Sequence, residues 1–97
     1  MDIFTAIENN DLEFIKNLVK DGVDIEAKNI YGNTPLMWAV CEDNLEIIKF
    51  LIEQGANPKA INNEGEKAID IARIGNYIEI IKYLEPLSKP FLKSAKK

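Results

Sequence analysis

The side chains of this 97-residue chain that could do chemistry are sixteen carboxylates and one thiol, with no imidazole at all. Acid–base or metal chemistry would need a positioned base or ligand set, and the commonest of both, histidine, is missing. Cys41 has Glu42 beside it and no cation in its sequence neighbourhood, so nothing depresses its pKa and a structural thiol is expected. Gly22, Gly32, Gly55, Gly65 and Gly75 are spread out and build no phosphate-cradling cluster. Neither an EF-hand loop nor a zinc pattern can be assembled. An enzyme is not expected, and no cofactor or metal is implied.

What remains is recognition, for which Tyr31 and Trp38 are the side chains to single out. Large aromatics anchor binding hot spots, although a tryptophan is as readily packed against a neighbouring turn. Trp38, Cys41 and Glu42 stand at i, i+3 and i+4 and share one helical face, while Leu36, Ala39 and Val40 point elsewhere.

The elements that must position these residues come from a repeat. Gly32-Asn33-Thr34-Pro35-Leu36-Met37-Trp38-Ala39 recurs, loosened, 33 residues later as Gly65-Glu66-Lys67-Ala68-Ile69-Asp70-Ile71-Ala72. Asn44-Leu45-Glu46-Ile47-Ile48-Lys49-Phe50-Leu51 is matched by Tyr77 to Leu84 downstream and by Asp11 to Leu18 upstream. A fixed period of this size marks a stacked repeat protein. Gly-x-Thr-Pro-Leu-x-x-Ala, a Leu-Glu-Ile-Ile helix and a closing Gly55-Ala56-Asn57 resemble the ankyrin repeat, over roughly residues 1–85. One departure is Met37 where the family carries His, so the loop hydrogen bonds of that His must be absent or replaced.

The resemblance implies an all-α ankyrin-repeat solenoid of helix-turn-helix pairs with protruding β-turn loops. The expected division is a three-repeat domain over 1–88, with repeats about 1–23, 24–56 and 57–88, and a short basic tail over 89–97. Helices are expected from about Asp2 to Asn9 and Asp11 to Lys20, with Leu12, Ile15, Leu18 and Val19 turned inward and Gly22 as a left-handed stop. Asn29-Ile30-Tyr31-Gly32 and Asn62-Asn63-Glu64-Gly65 read as type I turns. Thr34 is an N-cap and Pro35 a first helical residue; Lys67-Ala68 replace both in the third repeat and weaken that start. Ala6, Ala39 and Ala72 share one register position, where a small side chain lets helices approach closely.

Asn10, Asp43 and Asn76 also share a register position, with Glu13, Glu46 and Glu79 three residues later. Two readings stand: a capping box, or a left-handed residue of the kind Asn and Asp tolerate best. Glu85-Pro86 is expected to stop the last helix. Leu87, Phe91 and Leu92 either cover the last repeat or belong to a frayed basic tail.

Charge narrows the partner. Residues 1–85 hold eight basic and all sixteen acidic side chains, while Lys89, Lys93, Lys96 and Lys97 bring the net charge to −4. An acidic body disfavours nucleic acid and anionic membrane and favours a protein partner with a basic surface. No run of about 18 apolar residues is present, and no export signal is readable, so with a lone cysteine a cytoplasmic location is expected.

Mapped onto the positions matching the family, the concave partner-binding face comprises turn-tip residues Ile30, Tyr31, Asn33, Asn63, Glu64 and Glu66. It continues over Glu8, Asn9, Trp38, Cys41, Glu42, Ile71 and Ile74 of the first helices. The expected function is a non-catalytic protein–protein interaction module, monomeric or weakly self-associating. Alternatives are a self-associating or stabilising segment of a larger ankyrin assembly, through Ile71, Ile74, Tyr77, Tyr83 and the tail, or a host-directed ankyrin effector. The last rests on Ile-, Asn- and Lys-rich usage with a single Arg, as in A+T-rich genomes.

Overall fold

The computed structural model describes residues 2–88, which form six helices and, among the described residues, no strand. They are α1 (Ile3–Glu8), α2 (Leu12–Lys20), α3 (Pro35–Cys41), α4 (Leu45–Glu53), α5 (Ala68–Gly75) and α6 (Ile78–Ser88). Consecutive helices pack as the pairs α1–α2, α3–α4 and α5–α6, and α3 also packs against both α1 and α5. The first helices of the repeats therefore form one continuous inner layer. Ala6, Ala39 and Ala72 are fully buried along it, the small residues that the contact requires.

The helices form where they do because their ends are satisfied locally. Asp2, Thr34, Asp11 and Asn44 each accept a hydrogen bond from the backbone N–H three residues on, at Thr5, Met37, Phe14 and Ile47. Each such cap is worth about 1 kcal/mol. Asp11 and Asn44 lie one residue after the positions that suggested a capping box. Asn10, Asp43 and Asn76 instead adopt φ of 55, 54 and 57°, so the left-handed reading is the correct one. They turn the chain sharply between paired helices; after Asn10 and Asp43 the next residue, Asp11 or Asn44, does the capping, whereas Tyr77 follows Asn76 and supplies no such cap. In α5 the missing Thr leaves no side-chain cap on Lys67, because an ammonium cannot accept; Asp70 takes the Lys67 N–H at 2.9 Å instead.

The core runs through all three pairs. Ile3, Ile7, Ile15, Leu36, Met37, Val40, Ile47, Ile48, Leu51, Ile69, Ile80 and Leu84 are all buried in it. Each contributes about 1.5–3 kcal/mol on leaving water. In α2 only Ile15 is fully buried; Leu12, Leu18 and Val19 are packed against the core at half-burial, because α2 belongs to the outer layer. Two cations also tie the outer layer together, Lys16 5.9 Å above the Phe50 ring and Lys49 5.6 Å above the Tyr83 ring.

Pro86 does not stop α6, contrary to expectation; the helix continues to Ser88. Pro86 and Lys82 both lie on the exposed side, so water can take the Lys82 carbonyl that the missing N–H leaves unbonded. Ser88 Oγ then donates to the Leu84 carbonyl and closes the end at 2.8 Å. The expected placement of Phe91 and Leu92, and the whole 89–97 tail, lie outside the described residues; Leu87 is exposed on α6.

Candidate partner-binding face

Both turns are built by an asparagine side chain that replaces backbone partners. Asn29 Oδ1 accepts from the Tyr31 and Asn33 N–H groups, and Asn62 Oδ1 from those of Glu64 and Glu66. Gly32 and Gly65 close the turns by donating to the Asn29 and Asn62 carbonyls at 2.9 and 3.0 Å. The two tips are joined to each other. Asn63 donates its N–H to the Tyr31 carbonyl at 3.0 Å and its side-chain amide to the Ile30 carbonyl at 3.1 Å. Approach is so close that a Cβ on Gly32 would lie 2.7 Å from the Asn63 nitrogen, and Gly32 also needs its φ of +77°.

This pinning fixes Tyr31. The residue is 56% exposed, and its ring lies parallel to that of Trp38, with an interplanar angle of 7° and centroids 6.3 Å apart. Phe4 meets the other part of Trp38 edge-on at 80°, also 6.3 Å away. The indole Nε1 donates to Glu8 Oε2 at 2.8 Å. Trp38 is thus half-buried: neither a core residue nor a loose surface side chain, it is a platform held by two repeats.

Around the platform, Ile30 is 83% and Ile74 74% exposed. Cys41, Glu42, Asn63 and Glu64 are exposed and Glu66 is half-buried, its carboxylate accepting from Asn62 Nδ2 at 3.0 Å. Asn33 has to be removed from the set. It is 7% exposed and its Oδ1 accepts from Asn62 Nδ2 at 2.9 Å, so it joins the two turns beneath the surface rather than facing a partner. Partial burial pushes the Cys41 thiol pKa up, and the Glu42 and Glu66 charges push it further. The carboxylates of two successive repeats therefore act on one spot.

The charges divide by layer. Lys16, Lys20, Lys49 and Lys82 are on the outer helices α2, α4 and α6, whereas the inner helices carry only Arg73, which is paired with Glu85 of α6 at 3.4 Å. Among the described residues the other ion pairs, Lys16–Glu13 and Lys82–Glu79, are also on outer helices. Glu42 and Glu64 have no ion-pair partner among the described residues.

A groove of about 220 Å³ lies on the outer layer, lined by Leu12, Lys16, Glu46, Lys49, Phe50 and Glu53, with lysines and glutamates alternating around it. Among the described residues no cluster of His, Cys, Asp or Glu could hold a metal ion, and no helix is long and apolar enough to cross a membrane.

The linkages from Glu8 to Trp38 and from Asn62 to Asn33 were not readable from the chain, since their partners are 30 and 29 residues apart. The period does place Glu8 and Trp38 on adjacent inner helices, which is the one available signal. Comparison with family models matches residues 3–90 to ankyrin repeats, in three copies. A search of the curated proteins found no match.

Proposed function

The chain belongs to the ankyrin-repeat family, and from that premise we propose that it is a non-catalytic adaptor whose inner-layer face binds a basic protein partner. Ankyrin repeats generally serve as protein–protein interaction modules. The observation that carries the reading is the Tyr31–Trp38 stack, an exposed tyrosine held against a half-buried tryptophan before any partner arrives. A side chain that is already ordered loses little entropy on binding, which is what makes a rigid aromatic an effective anchor. Glu42 and Glu64, which have no ion-pair partner among the described residues, select for basic groups and accelerate encounter. Ile30 of the first turn and Ile74 of α5 add exposed apolar area. The lone thiol fits a reducing, cytoplasmic setting.

The test is a quantitative pull-down from source-cell lysate, comparing the native chain with a Tyr31→Ala, Trp38→Ala double variant. Bands held by the native chain and lost by the folded variant support the reading. Retention of the same bands by both overturns it.

A second reading, self-association through the third repeat, is favoured by the exposure of Ile74, Ile78 and Leu87 on α5 and α6. Of the residues first assigned to it, Tyr77 and Tyr83 are half-buried and packed against the core, and Tyr83 lies under Lys49. A mass in solution that rises with concentration, and falls again in Ile74→Asp, would favour this reading.

A further inference from the structure

The aromatic pair has a chemical preference that its hydrogen bonding decides. The indole N–H of Trp38 is already taken by Glu8, so the pair has no donor at Nε1 to offer a partner. What it offers is ring faces. One face of Tyr31 lies against Trp38, and the residue nevertheless remains 56% exposed, which leaves the opposite face as the one open to a partner. A π face attracts cations, and a planar guanidinium can stack on it while its N–H groups point outward in the ring plane.

The surroundings complete this preference. The Asn63 N–H to Tyr31 carbonyl bond sets the turn bearing Glu64 directly beside Tyr31. Glu42 caps α3 one turn beyond Trp38. Partial burial raises the Cys41 thiol pKa first, and the Glu42 and Glu66 charges, both near enough to act on it, raise it further. Glu42 and Glu64 lack an ion-pair partner among the described residues, whereas Glu13, Glu79 and Glu85 of the outer helices have theirs. Two carboxylates without an ion pair among the described residues thus lie on the layer that also carries the aromatic pair.

We propose, resting on the partner-binding reading above, that this face recognises an arginine on an extended segment of its partner, with the guanidinium stacked on Tyr31 and its N–H fork directed to Glu64 and Glu42. Arginine fits better than lysine for two reasons. Its plane matches the ring, and it is less strongly hydrated than an ammonium, so less is lost on leaving water. The segment is extended because the aromatic pair and the carboxylates are spread along the line from the second repeat to the third, and a chain lying across both tips can reach them together.

The experiment is selection of a random linear peptide library on the full chain, with the Tyr31→Ala, Trp38→Ala variant as counter-selection. Enriched peptides are then synthesised with the arginine replaced by lysine or by neutral, isosteric citrulline. Because Trp38 is the only tryptophan, its emission reports occupancy directly. The expected result is an arginine at one fixed position in the peptides lost on counter-selection. Citrulline should weaken binding by at least about tenfold, since it removes both the charge-assisted bonds and the cation–π term. Tyr31→Phe should bind as the native chain does, and Glu42→Gln, Glu64→Gln should bind several-fold more weakly. Enriched peptides that need Tyr31 and Trp38 but tolerate citrulline or lysine equally would overturn the arginine proposal and leave the adaptor reading intact. Enrichment indifferent to the double variant, or none at all, would overturn both.

Discussion

Trp38 Nε1 and Glu8 Oε2, 2.8 Å apart, form a side-chain bond between the inner helices of the first and second repeats. It joins the half-buried Trp38 to a helix of only six residues, α1, whose Phe4 also meets the indole edge-on. The bond holds the indole ring, and through stacking it also holds Tyr31.

Removing the acceptor should therefore act on order before stability. In Glu8→Ala the loss in stability is expected to be about 0.5–1 kcal/mol, because the bond lies at the surface. Trp38 emission should shift to longer wavelength and the aromatic near-UV circular dichroism should fall. An unchanged emission spectrum would mean that Phe4 and Tyr31 alone fix the ring.

Asn62 should be the costliest polar residue to remove. Its Oδ1 accepts from the Glu64 and Glu66 N–H groups, and its Nδ2 donates to Asn33 Oδ1 and Glu66 Oε1. Asn62→Ala leaves the buried Asn33 oxygen and two turn amides without these partners, at a cost of about 2–3 kcal/mol. Chemical denaturation should show the loss, and hydrogen exchange should show it concentrated in the turn and α5. A loss confined to a few tenths would show that water replaces the side chain.

Left-handed residues give the opposite sign. Asp43 has φ of 54°, and among the described residues its side chain makes no hydrogen bond in the turn. Asp43→Gly should raise the melting temperature through a gain of about 0.5–1 kcal/mol, while Asp43→Ala should lower stability by a similar amount. Asn10 is a poorer site for this test, since its Oδ1 accepts from Asn44 Nδ2. A melting temperature lowered by Asp43→Gly would contradict the conformational explanation.

Cys41 offers a pH test of the inner-face field. Partial burial, then Glu42 and Glu66, disfavour the thiolate, so the folded thiol ionises only above its ordinary value near 9.0. Alkylation at neutral pH should be slower than for a free thiol, with a midpoint of the rate profile above that value. Glu42→Gln or Glu66→Gln removes a repelling charge and should move the midpoint down. A midpoint that neither variant moves would place the carboxylates too far away to act.

The amino-acid sequence by itself determined the repeat, the helix pairs, the Thr34 and Pro35 start, the two Asn-to-Gly turns and the fully buried Ala6, Ala39 and Ala72. All of these depend on contacts within a few residues or on a pattern that recurs every 33, so they survive reading in one dimension. Trp38 and Tyr31 were recognisable as candidate anchors, but that they stack, and that Trp38 is half-buried, was not. Tertiary structure alone decided that Asn33 lies beneath the turns, that Glu8 holds the indole, that Lys16 and Lys49 cover rings of the next repeat, and that the helix continues through Pro86. The physical reason is common to these four. Each depends on what a side chain or carbonyl meets once neighbouring elements, or water, have taken their place. Local propensity carries no information about that, because the partner arrives from a full period away or from the solvent.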